Sequence, residues 1–286
     1  MRAVPVIMAY ALKESLRRRV FTVVIVLTAL FLGLYGWGTS QAFKDVDKFV
    51  GTDSERLVNT HDLAGATLFG LSMFATLFLG VVLAIFLTLG VVRGDAERGL
   101  LQPLVVRPIG RSTLLLARFL TASAVSSVYV LGVYAAATLI TRATGHWWPD
   151  RFLLPGLALA AGVTVVVAMS LLGSVFLTST ANGIAVFMVV GAGFVGGLLG
   201  QIGEAIQSHT LETAATWTSW ALPFEALYQD GLDAITADTR GLTKIVVQLG
   251  PFGGAHDASP LLWLWAVVYV ALVGLVAAAR FARRDL

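Results

Sequence analysis

The sequence lacks cysteine and is poor in charge. None of its 286 residues is cysteine, which excludes disulfide scaffolds, thiolate metal sites and iron–sulfur clusters. Asp, Glu, Lys and Arg make up 13% of the chain, against ~25% in a typical soluble domain. Hydrophobic residues make up 57%. This composition excludes an ordinary soluble enzyme, and it is far too apolar for a disordered chain.

The sequence contains long stretches without acidic or basic residues. A helix needs ~20 mainly apolar residues to cross a bilayer. Six stretches are suitable: 20–38, 64–92, 119–141, 152–178, 181–200 and 261–279. Their residues do not alternate with a period of two, which disfavours an outer-membrane barrel. We therefore expect an all-α polytopic membrane protein in which residues 1–286 form one transmembrane domain.

The distribution of charge predicts the orientation of these spans. Six spans place both termini on one side, which carries 13 of the 20 Lys and Arg residues and four of the 17 Asp and Glu residues. The formal charge of +3 thus divides into +9 on that side and −6 on the other. Because positively charged loops stay in the cytoplasm, we expect both termini to be cytoplasmic and the protein to lie in the inner membrane. All seven tryptophans fall on the predicted outer side, where their rings suit the headgroup level.

Two regions outside the spans have helical patterns. Residues 1–19 form an amphipathic pattern with its basic residues mostly off the apolar stripe, which predicts a helix in the cytoplasmic interface. Alternatively, residues 1–19 serve only as a basic anchor and topology signal, which explains the same pattern. The outer region 201–260 predicts short interfacial helices at 204–215, 225–237 and 243–249, with a break at Pro223. A substrate gate and simple packing over the outer mouth remain equal alternatives there.

The loop between the second and third spans is charged at its start and apolar in its middle. Asp95 and Glu97 suit the N-terminus of a short helix, and Leu100, Leu101 and Leu104 fall on one face. An apolar face on a cytoplasmic loop needs a covering surface. A partner protein provides one explanation, and packing on the chain's own helices or in the interface provides another.

The spans lack the residues that would power transport or catalysis. Their centres contain no acidic, basic or histidine residue, whereas ion-coupled transporters usually need such groups inside the membrane. No lysine follows a glycine-rich turn, so there is no phosphate-binding loop, and the motifs of intramembrane proteases are absent. The four histidines are scattered through outer regions and predict no metal site. The polar residues inside are nearly all hydroxyls, which more often join helices than bind substrate: Ser72, Thr76, Thr88, Ser123, Ser126, Ser127, Thr138, Thr164, Ser170 and Ser174.

At the 93–112 loop the sequence resembles the ABC-2 type permeases, which are the membrane subunits of type V ABC exporters. That family has a Gly-Glu-x-Glu-x-Gly-Thr-Leu pattern, then leucines, Pro-x-x-Arg and a Gly-Lys pair. Asp95 replaces the first Glu, Leu100 replaces Thr, and Arg118 follows Ala rather than Gly. The matching residues are Gly94, Glu97, Gly99, Leu101, Leu104, Pro108, Arg111 and Arg118.

Other segments extend the resemblance over the whole chain. The basic stretch 12–18 looks like the family's opening, and 281–286 looks like its ending. Residues 222–227, Leu-Pro-Phe-Glu-Ala-Leu, are similar to a segment of the subgroup that includes the permease of the copper-maturation system for nitrous oxide reductase.

The resemblance implies a half-transporter. Two permease copies would pair in the bilayer above two separate ATPase subunits, which would hold ATP and Mg, so that this chain needs no cofactor, is not itself an enzyme and binds no nucleic acid. Residues 94–107 would form a coupling helix in a groove of the ATPase, flanked by an elbow helix containing Lys13, Arg17, Arg18 and Arg19. The implied coupling residues are Gly94, Asp95, Glu97, Arg98, Gly99, Leu100, Leu101, Leu104, Arg107 and Pro108.

The fifth span is rich in glycine. Gly193 and Gly197 form one small-x-x-x-small pair, and Gly196 and Gly200 form another, which permits close helix approach. The sequence leaves open whether these glycines serve a dimer, the internal bundle or a substrate path.

A permease driven by a partner ATPase is the favoured function. A non-transporting scaffold or sensor subunit, with the acidic outer region as its binding surface, is the alternative, and an intramembrane enzyme has almost no residue support. The uncharged interior favours an apolar or amphipathic substrate without identifying it.

Overall fold

A computed structural model describes residues 19–49, 60–89, 110–237 and 260–282. These residues form eight helices and no strand, and six of the helices are long and apolar enough to cross a membrane. The all-α fold and the six predicted spans are therefore confirmed. The spans are α1 (Arg19–Phe49), α2 (Thr60–Thr88), α3 (Arg111–Gly145), α4 (Leu153–Phe176), α5 (Ser179–Ala205) and α8 (Pro260–Ala282); α6 (His209–Ala221) and α7 (Pro223–Ile235) lie between α5 and α8.

Several helices are longer than the apolar stretches that predicted them. The first stretch was expected to end at residue 38, yet α1 continues to Phe49. The reason is a buried stripe, since Tyr35, Thr39 and Phe43 recur every fourth residue and are each at most 8% exposed. Charged residues such as Lys44 occupy the exposed side of the same turns. Likewise α3 begins at Arg111 rather than 119, because Leu115 and Ala117 in its first two turns are already buried.

The core forms around α2 and α4. In each of these spans 61% of the most apolar window is buried, against 33% in α3, 22% in α5 and 11% in α1 and α8. Gly80 allows close approach, because a Cβ there would overlap Val130 of α3 and lie 2.9 Å from Val163 of α4. The outer faces of α1, α5 and α8 remain apolar and exposed in the single chain, as expected for surfaces that meet lipid or another copy.

The region after α5 contains two helices at shifted positions. The sequence predicted 204–215 and 225–237, whereas the helices span His209–Ala221 and Pro223–Ile235. The shift arises because α5 continues to Ala205. The chain turns only after that, at Gln207, which has a φ of 53°. None of α6 is buried, but ten of the 13 residues of α7 are. The expected surface helix is thus a core element.

Three predicted segments lie outside the described residues. These are the elbow helix apart from Arg19, the coupling segment 94–107 with Pro108, and the short helix 243–249. Arg19 itself is the first residue of α1.

Candidate functional site

The helices α6 and α7 form a hairpin that folds back into the bundle, and we call residues 209–235 the re-entrant hairpin. Its first helix packs antiparallel to the second half of α5. A Cβ added at Gly203 would lie 2.9 Å from the Glu212 backbone nitrogen, and one at Gly200 would lie 3.0 Å from the Ala215 Cβ. One added at Gly196 would lie 2.7 Å from the Cβ of Thr218. Glycine is therefore required along this face of α5.

The tip of the re-entrant hairpin lies deep in the bundle. Pro223 occupies the start of α7, where a missing N–H costs nothing. The next residue, Phe224, is fully buried and contacts Gly193 of α5 and Gly162 of α4. Gly193 lies 12 residues before the end of α5, so the tip lies roughly 18 Å below that end at 1.5 Å per residue. The chain then returns, and the Asp150 N–H donates to the Ile235 carbonyl over 3.2 Å.

The deep helix brings two carboxylates into the protein interior. Glu225 is 2% exposed and accepts a hydrogen bond of 2.7 Å from Gln229 Nε2. Asp230 is 5% exposed and accepts one of 3.0 Å from the indole N–H of Trp263 on α8. Buried carboxylates in a membrane protein are costly and mark functional positions by default.

A buried phenol accompanies the first of these carboxylates. Burial raises the pKa of Tyr228, and the nearby Glu225 carboxylate raises it further, so that the phenol stays neutral. Its hydroxyl is buried without a hydrogen-bond partner among the described residues. Its ring packs 5.8 Å from that of Phe194 on α5 and 6.5 Å from that of Phe74 on α2.

The search for apolar stretches did not identify the buried side chains of Glu225, Tyr228 and Asp230, because α7 is too short and too polar to count as a span. A signal exists in the sequence: Phe224, Leu227 and Leu232 recur at helical spacing after a proline. That pattern predicts a helix with a buried face, although it does not indicate that acidic residues share the interior.

A cavity of about 480 Å³ lies between α5, α6 and α7. Glu225 forms its buried floor, while Glu212 and Trp220 are exposed at its rim. The described residues that line it include three carboxylates and no lysine, arginine or histidine. The lining is Gly197, Gly200, Gln201, Glu204, Glu212, Ala215, Thr216, Ser219, Trp220, Glu225, Ala226 and Gln229.

A polar cluster lies at the opposite end of the bundle, beside the loop that carries the predicted coupling residues. Thr88, the last residue of α2, pairs its hydroxyl with that of Ser170 on α4 over 2.6 Å. Asn182 of α5 is fully buried and donates to the Ser170 carbonyl over 3.0 Å. Its Oδ1 has no hydrogen-bond partner among the described residues. Three spans are thus joined where the chain enters the 90–109 segment.

The predicted role of the hydroxyls is confirmed for two pairs. Thr88 and Ser170 join α2 to α4, and Ser127 and Thr164 join α3 to α4 over 3.3 Å. Others donate to carbonyls of their own helix, a usual arrangement for hydroxyls inside helices: Ser72, Thr76, Thr138 and Ser174.

The four predicted glycines of the fifth span all face the re-entrant hairpin. The side chains nearest to them are Phe224 for Gly193, Thr218 for Gly196, Glu225 for Gly197 and Ala215 for Gly200. In the part of the chain that the structure describes, no three His, Asp or Glu residues converge to hold a metal ion.

Six apolar helices, a re-entrant hairpin and a polar cluster beside the loop after the second span are features of a multi-pass membrane transport subunit. A protein-family model described as "ABC-2 family transporter protein" matches residues 6–286. The chain therefore belongs to the ABC-2 family of membrane permeases. No curated protein matches it.

Proposed function

We propose that this protein is the membrane-spanning subunit of an ABC exporter, driven by ATP hydrolysis in a separate ATPase subunit. The family match over 6–286, together with the six spans, carries the proposal. ABC-2 permeases usually work with an ATPase partner in a lipid membrane. The charged and apolar pattern of 93–112 supplies a surface that such a partner would cover.

Coupling is proposed to pass through the 94–107 segment, with Glu97 and Arg98 at its polar contacts. The supporting geometry lies beside it, since Thr88 ends α2 where that helix bonds to Ser170 of α4. Asn182 attaches α5 to the same residue. A displacement of the loop would therefore move three spans together rather than α2 alone.

Three further features belong to the proposal. Pairing with a second copy would cover apolar surface on α1 and α5, which are among the least buried spans of the single chain. The segment 222–227 supports a relationship to the subgroup that includes the nitrous oxide reductase copper-maturation permease. The charge distribution favours cytoplasmic termini in the inner membrane.

Charge reversal in the coupling segment tests the proposal. An ABC ATPase should co-purify with the wild-type chain from its native membrane, and the ATP hydrolysis of that ATPase should respond to reconstitution with the chain. Glu97→Arg combined with Arg98→Glu should reduce this response at least tenfold or abolish assembly, because each charge would meet a like charge across the interface.

A matched control reverses a charge pair elsewhere. Asp45 and Lys48 form an exposed ion pair of 2.8 Å on the end of α1 remote from the 90–109 loop. Their reversal should leave assembly and coupling unchanged, since exposed pairs contribute little. If the Glu97/Arg98 reversal leaves the complex intact and coupled, the coupling assignment is wrong. If no ATPase assembles with the chain, a scaffold or sensor subunit replaces the permease.

A further inference from the structure

We propose that the chain binds the phosphate group of an anionic phospholipid where α3 meets α4, at the end of the bundle predicted to face outward. We call residues 142–152 the α3–α4 junction. It combines two exposed arginines with a fixed backbone, and apolar helix faces begin directly beside it. The inference goes beyond the proposed function, because it involves neither the ATPase nor the transported substrate.

A guanidinium above an indole forms the centre of the proposed site. Arg142 is exposed in the last turn of α3, and its Cζ lies 5.1 Å from the centre of the Trp148 ring. The Trp148 ring in turn stacks on that of Phe152, with 5.0 Å between centroids and 24° between planes. The ring attracts the cation but supplies no oxygen to its N–H donors. Those donors match phosphate oxygens in geometry.

The charges of the junction select an anion. Arg151 is a second exposed arginine, and within the described residues neither arginine forms an ion pair or a side-chain hydrogen bond. Two acidic residues lie close by in the fold. Asp150 precedes Arg151, and Asp233 precedes an α7 carbonyl to which the Arg151 N–H donates. Both carboxylates interact with groups other than these arginines, so the two positive charges are available to a ligand.

The backbone of the junction is fixed by neighbouring helices. The Arg151 N–H donates to the Ala234 carbonyl over 3.2 Å, and the Tyr134 hydroxyl of α3 donates to the Phe152 carbonyl over 2.8 Å. Between these attachments and α3, the Trp147 side chain is buried. A preformed site loses little conformational entropy when its ligand binds.

The apolar surface next to the junction favours a lipid over a free phosphate ion. Leu139, one turn before the arginine of α3, is 62% exposed, and Leu153 and Leu157 on α4 are 71% and 52% exposed. The two helices meet at this surface, since a Cβ added at Gly156 would lie 3.3 Å from the Leu131 Cδ2. An acyl chain attached to the bound phosphate would therefore lie along α3 and α4, where its contacts are apolar.

Site-specific quenching of a fluorophore tests the inference, because the chain has no cysteine of its own. The full-length Leu157→Cys chain is labelled with nitrobenzoxadiazole and reconstituted into phosphatidylcholine vesicles. These contain doxyl-labelled phosphatidylglycerol or doxyl-labelled phosphatidylcholine with the same acyl chains. The phosphatidylglycerol should quench at a concentration at least threefold lower, since one arginine near the surface favours an anionic lipid by about fivefold.

A second label separates the junction from the rest of the lipid-facing surface. Val267 of α8 is 68% exposed, and the same label on Val267→Cys should be quenched equally by the two lipids. Equal quenching by both lipids at Leu157→Cys would overturn the inference. An equal preference for phosphatidylglycerol at both labels would also overturn it, because the attraction would then be general.

Charge variants in the Leu157→Cys chain identify the groups responsible. Arg142→Gln should reduce the preference for phosphatidylglycerol at least twofold, and adding Arg151→Gln should remove it. Lys44→Gln is the matched control, because Lys44 is an exposed cation at the same end of the bundle and adjoins Phe43, which packs against Gly145. It should leave the preference unchanged. If the double arginine variant keeps the preference, the junction does not bind the lipid.

A competition arm distinguishes the lipid from a free phosphate ion. Potassium phosphate should affect the preference no more than potassium chloride of equal ionic strength does. Loss of the preference in phosphate alone would overturn the assignment to a lipid, because the ion would then bind without an acyl chain. None of these measurements requires an ATPase, so their failure leaves the proposed function intact, and failure of ATPase assembly leaves the lipid site intact.

Discussion

At the residue scale, some glycines of α5 have too little space around them to accept a side chain. Gly196 faces Thr218 of α6, whose hydroxyl bonds to the Ala214 carbonyl over 2.9 Å and fixes the side chain. A Cβ at 196 would overlap the Thr218 methyl group and lie 2.7 Å from its Cβ. Gly191 lies on the same helix with nothing within 4 Å of its added Cβ.

Gly196→Ala is therefore expected to destabilise the protein, and Gly191→Ala is expected not to. Overpacking a tight contact costs roughly 1–3 kcal/mol. Alanine in an open helical position instead gains about 0.5–1 kcal/mol over glycine. The free energy of unfolding of the purified variants in detergent measures both. Equal stability of the two variants would show that α6 does not lie against α5 as described.

At the element scale, α7 is an amphipathic helix that the bundle has enclosed. Its apolar residues pack mainly on α4, its acidic residues meet polar groups, and its end is attached by backbone hydrogen bonds from Asp150 and Arg151. A further attachment joins it to α8, through the Trp263 indole and the buried Asp230 carboxylate. The element holds its position through a few polar contacts within an apolar interface.

Replacing the indole that contacts this carboxylate should loosen the helix. Trp263→Phe removes one donor from Asp230, which is 5% exposed, and hydrogen bonds to charged groups contribute about 1.5–3 kcal/mol. Trp265→Phe is the matched change, since its indole bonds to an exposed backbone carbonyl that water can reach. The melting temperature in detergent should fall further for Trp263→Phe, with faster hydrogen exchange in α7. A larger loss for Trp265→Phe would contradict this attachment.

The whole molecule has two ends of different character. At one end, Thr88, Ser170 and Asn182 join three spans beside the 90–109 segment. At the other, the re-entrant hairpin surrounds an acidic cavity. Transport would require the two ends to be coupled through α2, α4 and α5, because these spans contribute to the polar cluster and also contact the hairpin.

The orientation of these ends is directly testable, because the chain contains no cysteine. Single cysteines at Lys48 and Ser112, both exposed, lie at opposite ends of the bundle. In intact cells, a membrane-impermeant maleimide should label Lys48→Cys at once and Ser112→Cys only after the membrane is opened. Labelling in the reverse order would invert the predicted topology. Equal labelling of both in intact cells would also contradict it.

The spans were predictable because each depends on about 20 neighbouring residues. The ends of α1 and α3 were not, since Lys44 and Arg118 interrupt the hydropathy while the helices continue through them. The glycine pairs of the fifth span were recognised in the sequence, but their partners were not. Gly196 meets a threonine 22 positions later, and no local pattern specifies that distance.

The sequence by itself determined the membrane class, the number of spans and the charge asymmetry, because hydropathy and charge are properties of each segment alone. The tertiary structure alone decided that α7 is buried, that α5 presents its glycines to the re-entrant hairpin, and that Glu204, Glu212 and Glu225 line one cavity. Burial and convergence depend on which surfaces meet. In an all-apolar bundle those surfaces are selected by shape and by a few polar contacts, which are not visible as a periodic pattern in the chain.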